Sequence, residues 1–211
     1  MRLFKYSAAV VCLSILTGCA VGNKYDYQQA DISLPVKGES QVSLGVIDNR
    51  SYVTSGDKSA NFIGVQRGGF GNPFEVTTSS GKPLTEDMSD VLERSLKNSG
   101  FQVNKLYFSS PDTALVASVI MKDGQQKNII LTVNEWKTDV MMSIALIYDL
   151  VLQVKTRDGK ELASASMQSN GKEKLSGAGF EGQNSRVATS AFETKVSRLF
   201  NDPAIINALK D

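Results

Sequence analysis

Cys19 is the residue whose chemistry the sequence indicates most clearly. It ends the run Leu16-Thr17-Gly18-Cys19, which follows an apolar stretch from Ala8 to Leu16 and two basic residues, Arg2 and Lys5. A thiol in this place is positioned for acylation once the preceding leader has been removed. The apolar stretch is about half as long as the roughly 20 residues that a bilayer-spanning helix requires. Its length is typical of a secretory leader, which is not part of the mature fold.

This arrangement resembles the signal of bacterial lipoproteins, in which a charged start, an apolar middle and small residues precede a lipid-modified cysteine. The resemblance implies removal of residues 1 to 18 and lipid on the thiol and new amine of Cys19. It also implies an outer-membrane location with the domain on the periplasmic side, because Ala20 stands where an aspartate favours retention at the inner membrane. The alternative is an apolar N-terminus that is not processed.

Composition excludes several kinds of chemistry. The chain has no histidine, and its two cysteines are Cys12, inside the predicted leader, and Cys19. Catalysis by Ser-His-Asp or Cys-His groups is therefore excluded, and zinc sites without histidine or cysteine are rare. We accordingly predict no disulfide, no metal site and no cofactor. Carboxylate, lysine or tyrosine chemistry remains open.

Glu135 and Asp139 are the strongest candidates for such chemistry, since a carboxylate pair can serve as acid and base. A solvated strand end is the favoured interpretation, so we predict that the protein is not an enzyme. Trp136, the single tryptophan, lies between them and is either a core residue or an interface anchor.

The charge balance gives no indication of a nucleic-acid partner. The chain has 23 Lys and Arg against 22 Asp and Glu, and removing the leader with Arg2 and Lys5 leaves 21 against 22. Nucleic-acid binding normally requires a basic face.

The chain divides into three predicted segments. Residues 1 to 18 are the leader, residues 19 to 39 are a lipidated N-terminus and flexible tether with exposed Tyr25 and Tyr27, and residues 40 to 211 are a single domain. About 190 residues remain after cleavage, which suffices for one domain with a core.

Alternating and helical apolar patterns predict an α+β fold. We expect a mainly antiparallel sheet with helices packed on one face. Strands are predicted over 41–48, 101–106, 129–136, 142–155 and 162–169, and helices over 84–99, 112–123, 183–200 and 204–209.

Two glycine-rich segments, 64–72 and 171–182, are predicted to be loops. The first is a flexible hairpin tip rather than a phosphate cradle, because Asn72-Pro73 follows and no helix opens. Each segment carries one phenylalanine between glycines, Phe70 and Phe180. Each ring either contacts a partner or membrane, or folds back onto its own loop.

Three further features, together with the lipoprotein signal, resemble the YajG-type lipoproteins of Gram-negative bacteria. They are the polar tether, the 84–100 helix before Phe101-Gln102-Val103, and the 131–138 strand entering a long apolar strand. The resemblance implies an outer-membrane lipoprotein that faces the periplasm and has no established enzymatic role.

The sequence therefore predicts a lipid-anchored, non-enzymatic domain that binds a protein partner in envelope assembly, transport or maintenance. Trp136, Phe70 and Phe180 are the candidate partner contacts, and Cys19 is the lipidation site. The alternative is a carrier that holds a small apolar ligand or lipid in a groove between the sheet and the helices.

Overall fold

The computed structural model describes residues 23 to 178 and 182 to 210. In these two stretches the strands are β1 (Lys24–Tyr25), β2 (Gln41–Asp48), β3 (Phe62–Arg67), β4 (Pro73–Thr78), β5 (Gln102–Leu106), β6 (Lys127–Val140), β7 (Ser143–Thr156), β8 (Glu161–Gln168) and β9 (Glu173–Ala178). The helices are α1 (Ser51–Thr54), α2 (Leu84–Asn98), α3 (Thr113–Asp123), α4 (Gln183–Phe200) and α5 (Pro203–Leu209), with a 3-10 helix at Tyr27–Gln29. The four predicted helices are confirmed within one or two residues.

The long strand β6 organises the sheet. One edge of β6 pairs with β2 along residues 127–133 and with β3 along residues 138–140, and both pairings are parallel. The other edge pairs with β7 in antiparallel register over nearly its whole length. Strand β7 in turn carries β8 and then β9 along its outer edge. Strand β6 thus joins β2 and β3, and strand β7 joins β8 and β9, so all of these strands belong to a single curled sheet.

The α+β class is confirmed, but the sheet is mixed and not mainly antiparallel as predicted. Among the described strands four pairings are parallel and four are antiparallel. Parallel neighbours need a crossover connection, and α2 and α3 provide it. They return the chain so that β5 and β6 flank β2 and run in its direction. The alternation of apolar and polar residues along a strand does not show whether its neighbours run parallel or antiparallel to it.

The prediction that the helices share one face of the sheet is wrong. Helices α2, α4 and α5 pack on the face that carries Ile129 and Leu131 of β6. Helix α3 covers the opposite face, where Val116 and Ile120 pack with Ile130 in a second cluster. Successive side chains of a strand point to opposite faces, and the apolar run at 129–131 is therefore covered on both sides.

The stretch from Asn23 to residue 37, predicted to be part of a flexible tether, is packed against the domain. Its apolar side chains are buried in the main core: Tyr25, Tyr27, Ala30, Ile32, Leu34 and Val36. Arg94 of α2 donates to the carbonyls of Gln28 and Ala30, at 2.9 and 2.8 Å. The expected exposure of the two tyrosines is wrong. The folded domain begins by residue 23 rather than 40, and residues 1 to 22 lie outside the described part.

An aromatic cluster fixes this N-terminal stretch. Trp136 Nε1 donates to the hydroxyl of Tyr27 at 2.8 Å, and both residues are completely buried. The Tyr27 and Trp136 rings meet edge to face at 6.1 Å, and each packs against Phe192 of α4 at 5.9 Å. Burial raises the pKa of Tyr27, so the hydroxyl stays protonated. The cluster therefore joins the N-terminal stretch, β6 and α4.

Arg50 holds the connection between β2 and β3. Its buried guanidinium donates to both carboxylate oxygens of Asp48, at 2.8 and 2.7 Å. It also donates to the carbonyls of Phe62 and Ala60, at 2.5 and 2.9 Å. A buried charge is tolerated only when it is paired in this way. The network fixes where the chain enters the β3–β4 hairpin.

Replacing Tyr27 with phenylalanine tests the aromatic cluster. The change leaves the buried indole N–H of Trp136 without an acceptor, which costs about 1–3 kcal/mol. We expect the free energy of unfolding, measured by urea titration, to fall by this amount. Tyr107→Phe is the matched control, because the Tyr107 side chain is 71% exposed. Equal losses in the two variants would contradict a special role for Tyr27.

Candidate functional site

The structure places the predicted partner contacts in different environments. Trp136 is fully buried in the core and offers no surface to a partner, so that assignment is corrected. Phe70 lies in the turn between β3 and β4 and is fully exposed. Phe180 and Cys19 lie outside the described residues. The predicted hairpin is confirmed by the antiparallel pairing of β3 with β4, but its tip is shorter than predicted, because residues 64–67 belong to strand β3.

Glu135 and Asp139 do not form a shared acid–base site. Glu135 accepts from the hydroxyl of Tyr52 at 2.6 Å and lies 3.3 Å from the ammonium of Lys137. Asp139 binds a different pair of cations, described next. Each carboxylate has its own partners, and the arrangement is that of separate structural ion pairs.

Asp139 holds two strands together through its cations. Arg67 Nε and Nη2 donate to its two oxygens at 2.8 and 2.9 Å, and Lys172 Nζ donates at 2.6 Å. The Arg67 hydrogen bonds are the main cause that lowers the pKa of Asp139 to about 2, and Lys172 contributes further. The triad links β3 to β6 and to the turn before β9.

A shallow groove with a mostly apolar lining lies between β9 and α4. It has a volume of about 460 Å³. Its apolar floor is formed by Leu175, Val187 and Ala191. Its rim is polar and is formed by Glu173, Ser176, Gln183, Arg186, Ser190, Thr194 and Lys195. We call this site the β9–α4 groove.

An ion pair closes one end of the β9–α4 groove. Lys195 Nζ donates to Glu173 at 2.6 Å and lies 4.6 Å from the centre of the Tyr148 ring. Burial opposes the charged ammonium, but the hydrogen bonds to Glu173 and Tyr148 outweigh it and raise the pKa of Lys195. The lysine therefore stays charged. The groove offers an apolar floor with fixed charges at its end, which suits an amphipathic ligand or a peptide segment.

Sequence reasoning proposed a groove between the sheet and the helices but missed the strand that forms one wall of this groove, because it assigned residues 171–182 to a loop. Residues 173–178 instead form strand β9, which pairs with the start of β7. Leu175 is the single large apolar residue of this strand, so no alternating apolar pattern marks it. The preceding residues Lys172, Glu173 and Lys174 alternate in charge, but such a pattern is as common in loops and does not predict a strand. Pairing with the long apolar strand β7 decides the structure.

Neither a membrane-spanning helix nor a metal-binding cluster is found in the described stretches. No described helix is long and apolar enough to cross a membrane. No group of three or more histidine, cysteine, aspartate or glutamate residues in residues 23–178 and 182–210 is arranged to hold a metal ion.

No family model matches the chain, and no curated protein is significantly similar to it in sequence. Similar folds occur among solved structures. Protein XCC0632 from Xanthomonas campestris, assigned to the family model DUF330, superposes with a TM-score of 0.53 and 12% identity, covering 88% of this chain and 96% of that one. At this identity the likeness shows a shared fold alone.

Two further structures are less similar. The PelC dodecamer from Paraburkholderia phytofirmans has a TM-score of 0.42 and 13% identity, covering 81% of this chain and 95% of that one. Lipoprotein GNA1162 from Neisseria meningitidis has a TM-score of 0.39 and 13% identity, with coverages of 78% and 100%. Scores below 0.5 do not establish a common fold, so nothing about function follows from them.

Asp139 gives a testable pH dependence. Its folded-state pKa of about 2 lies below the value of about 3.9 in an unfolded chain. The triad's contribution is therefore fully present above pH ~4 and is lost as the pH falls towards 2. Acid unfolding followed by circular dichroism should be less steep over this range in Asp139→Asn than in the wild type. Arg67→Gln should change the profile in the same direction, and superimposable curves would contradict the assignment.

Proposed function

We propose that this protein is an envelope lipoprotein, anchored through lipid on Cys19, whose domain binds a segment of a protein partner in the β9–α4 groove. The open groove between an edge strand and a helix is the observation that carries the partner proposal. Anchoring is supported by the leader pattern that ends at Cys19. A YajG-type identity and an outer-membrane location, with the domain on the periplasmic side, belong to the same proposal.

The packed N-terminal stretch strengthens the case for a short anchor. Asn23 belongs to the folded domain: its carbonyl accepts from Thr77 N at 3.1 Å, and its side-chain amide bonds to Gln66. Cys19 is four residues earlier, and a fully extended chain of four residues spans at most about 14 Å. A lipid on Cys19 would therefore hold the domain directly at the membrane surface.

The chemistry of the groove favours a peptide partner. Among the described strands β9 pairs with β7 alone, so its second edge has backbone groups with no strand partner there. An extended segment can add to such an edge while its side chains enter an adjacent apolar groove. Val187 and Ala191 of α4 form the wall that would receive those side chains. The polar rim would orient the segment.

A non-enzymatic role in envelope assembly, transport or maintenance is part of this proposal. The two carboxylates with the strongest claim to acid–base work, Glu135 and Asp139, are each held in an ion pair. Acid–base catalysis would need a carboxylate that is free to take up and release a proton, and neither ion-paired carboxylate meets this requirement.

A small amphipathic lipid is the second candidate occupant. The groove volume of about 460 Å³ lies in the range of small-molecule sites. Its floor is apolar, and Arg186 on its rim would pair with an acidic headgroup.

Cys19→Ser tests the anchor. Without the thiol the lipid cannot be attached. The variant should therefore be found either in the soluble fraction or as a precursor that keeps its leader. Fractionation and intact-mass measurement of the wild type and the variant report this. A wild-type mass without added acyl groups, or a variant that stays in the pellet at the mature length, would contradict the proposal.

A photo-crosslinking amino acid at Ser190 tests the groove. Ser190 lies on the rim, so irradiation of living cells should give a discrete adduct with one protein. Val187→Glu, which puts a charge on the apolar floor, should abolish that adduct. Ser118, exposed on α3 at the opposite face, is the matched control position. An adduct of lipid mass would favour the second candidate, and equal adducts at both positions would contradict a specific groove.

A further inference from the structure

We propose that one end of the sheet is a membrane-docking surface that rests on anionic phospholipid headgroups. The surface comprises the β3–β4 turn with Phe70, the β6–β7 turn with Met141 and Met142, and the cations beside them. We call it the docking end. The inference depends on the proposed lipid anchor at Cys19 and adds the orientation that the anchored domain takes.

The strand register brings the two turns to the same end of the sheet. Strands β3 and β6 run parallel, with Gln66 opposite Val140. Each strand then leads, within a few residues, into its turn. Strand β9 approaches the same end, because its Ala178 lies opposite Ser143, the first residue of β7. The ends of β3, β6 and β9 and the start of β7 therefore lie at the docking end.

The docking end carries the two most exposed large hydrophobic side chains of the described residues, Phe70 and Met142, with Met141 beside them. Phe70 is fully exposed, Met142 is 88% exposed and Met141 is 55% exposed. Large apolar side chains gathered at an exposed edge usually mark an interaction site. Phenylalanine and methionine on turns can enter the boundary between headgroups and acyl chains, where an amphipathic surface is favoured.

The charges beside these turns are mainly positive. Arg67 and Lys172 share the single carboxylate of Asp139, at 2.8 and 2.6 Å, so this triad has one positive charge in excess. Lys174 is exposed near the start of β7, opposite Ala145, and adds a second.

Within the described stretches, the remaining acidic side chains at this level are already paired. Glu75 binds Lys58 at 2.5 Å, and Glu173 binds Lys195 at 2.6 Å. The described residues of the docking end therefore keep an excess of positive charge, which complements the anionic headgroups of a bilayer.

The direction of β1 places the anchor beside the docking end. Strand β4 starts at the β3–β4 turn and runs away from it, and β1 runs parallel to β4 with Lys24 opposite Thr77. The chain therefore enters the domain from the side of that turn. Cys19 is within about 14 Å of Asn23 along the chain, which is roughly the length of four strand residues. Four residues along β4 separate Val76 from Asn72 at the turn, so the lipid and the turns can reach one plane.

The anchor and the docking end act together. A few turn residues bury too little apolar area to hold a protein on a membrane, but an attached lipid makes their contact intramolecular and so raises its effective concentration. Contact between the turns and the headgroups would set the orientation of the domain relative to the membrane. The β9–α4 groove would then rise from the docking end, because β9 ends there opposite Ser143, and a partner segment in the groove would lie beside the bilayer surface.

Spin labels measure this orientation in the full lipidated protein. An introduced cysteine is the single free thiol, because Cys12 leaves with the predicted leader and Cys19 is acylated. We would label Phe70→Cys, Met142→Cys and, as the matched control, Leu162→Cys. Leu162 is an exposed apolar residue, 48% accessible, beside the Lys155–Glu161 pairing at the opposite end of β7. Each protein would be reconstituted in vesicles of phosphatidylethanolamine and phosphatidylglycerol.

The readout is the ratio of collisions with oxygen, which enters bilayers, to collisions with a water-soluble nickel chelate. We expect this ratio to be several-fold higher at positions 70 and 142 than at 162. Vesicles of phosphatidylcholine alone should reduce the difference, since they lack the anionic headgroups.

Each other outcome is distinguishable. Equal ratios at the three positions, in protein that floats with the vesicles and has the acylated mass, would overturn the docking end and leave the anchor intact. Spin–spin broadening at position 70 that grows with the protein-to-lipid ratio would place a second copy there and would also overturn it. An unmodified Cys19 would overturn both the anchor and the docking end.

Discussion

The hydrogen bond from Trp136 to Tyr27 is the contact on which the organisation of this protein depends most. It lies inside an aromatic cluster that contains residues from the N-terminal stretch, the central strand β6 and helix α4. Because both partners are completely buried, neither can lose the other without leaving a polar group unsatisfied in the core. The cluster determines where the folded domain starts. It thereby determines how far the domain can stand from a lipid on Cys19.

This constraint changes the picture of an anchored domain on a long tether. With residues 23 to 37 packed on the core, only a few residues separate the proposed lipid from the sheet. If the proposed lipid is attached, a domain held so closely would not tumble freely at the membrane. Its surface near the anchor would meet headgroups, while surfaces further away would be free for partners. The exposed turns lie in the first region, and the β9–α4 groove extends from it, because β9 ends at the docking end. A partner segment in the groove would therefore lie close to the headgroups.

The ion pairs serve mainly to position strands. Arg50 joins Asp48 to two carbonyls and fixes the entry to β3, and Asp139 joins β3 to the segment before β9. Pairs of this kind are strong where they are shielded from water, and they hold the β3–β4 hairpin in register with β6. The same Asp139 triad leaves positive charge at the docking end. One structural arrangement thus contributes to both folding and surface chemistry.

Apolar periodicity is a local property, so the helices, the long strands and the α+β class could be predicted from the sequence. Composition likewise limits the available chemistry, since residues that are missing from the sequence cannot act. Tertiary contacts set the strand directions, the second helix-covered face, the strand β9 and the packing of residues 23 to 37. These depend on contacts between residues far apart in sequence: Tyr27 is ordered by Trp136, and Leu175 is held by pairing with β7. A short polar segment carries no pattern of its own for such contacts, and its partner supplies the free energy that orders it.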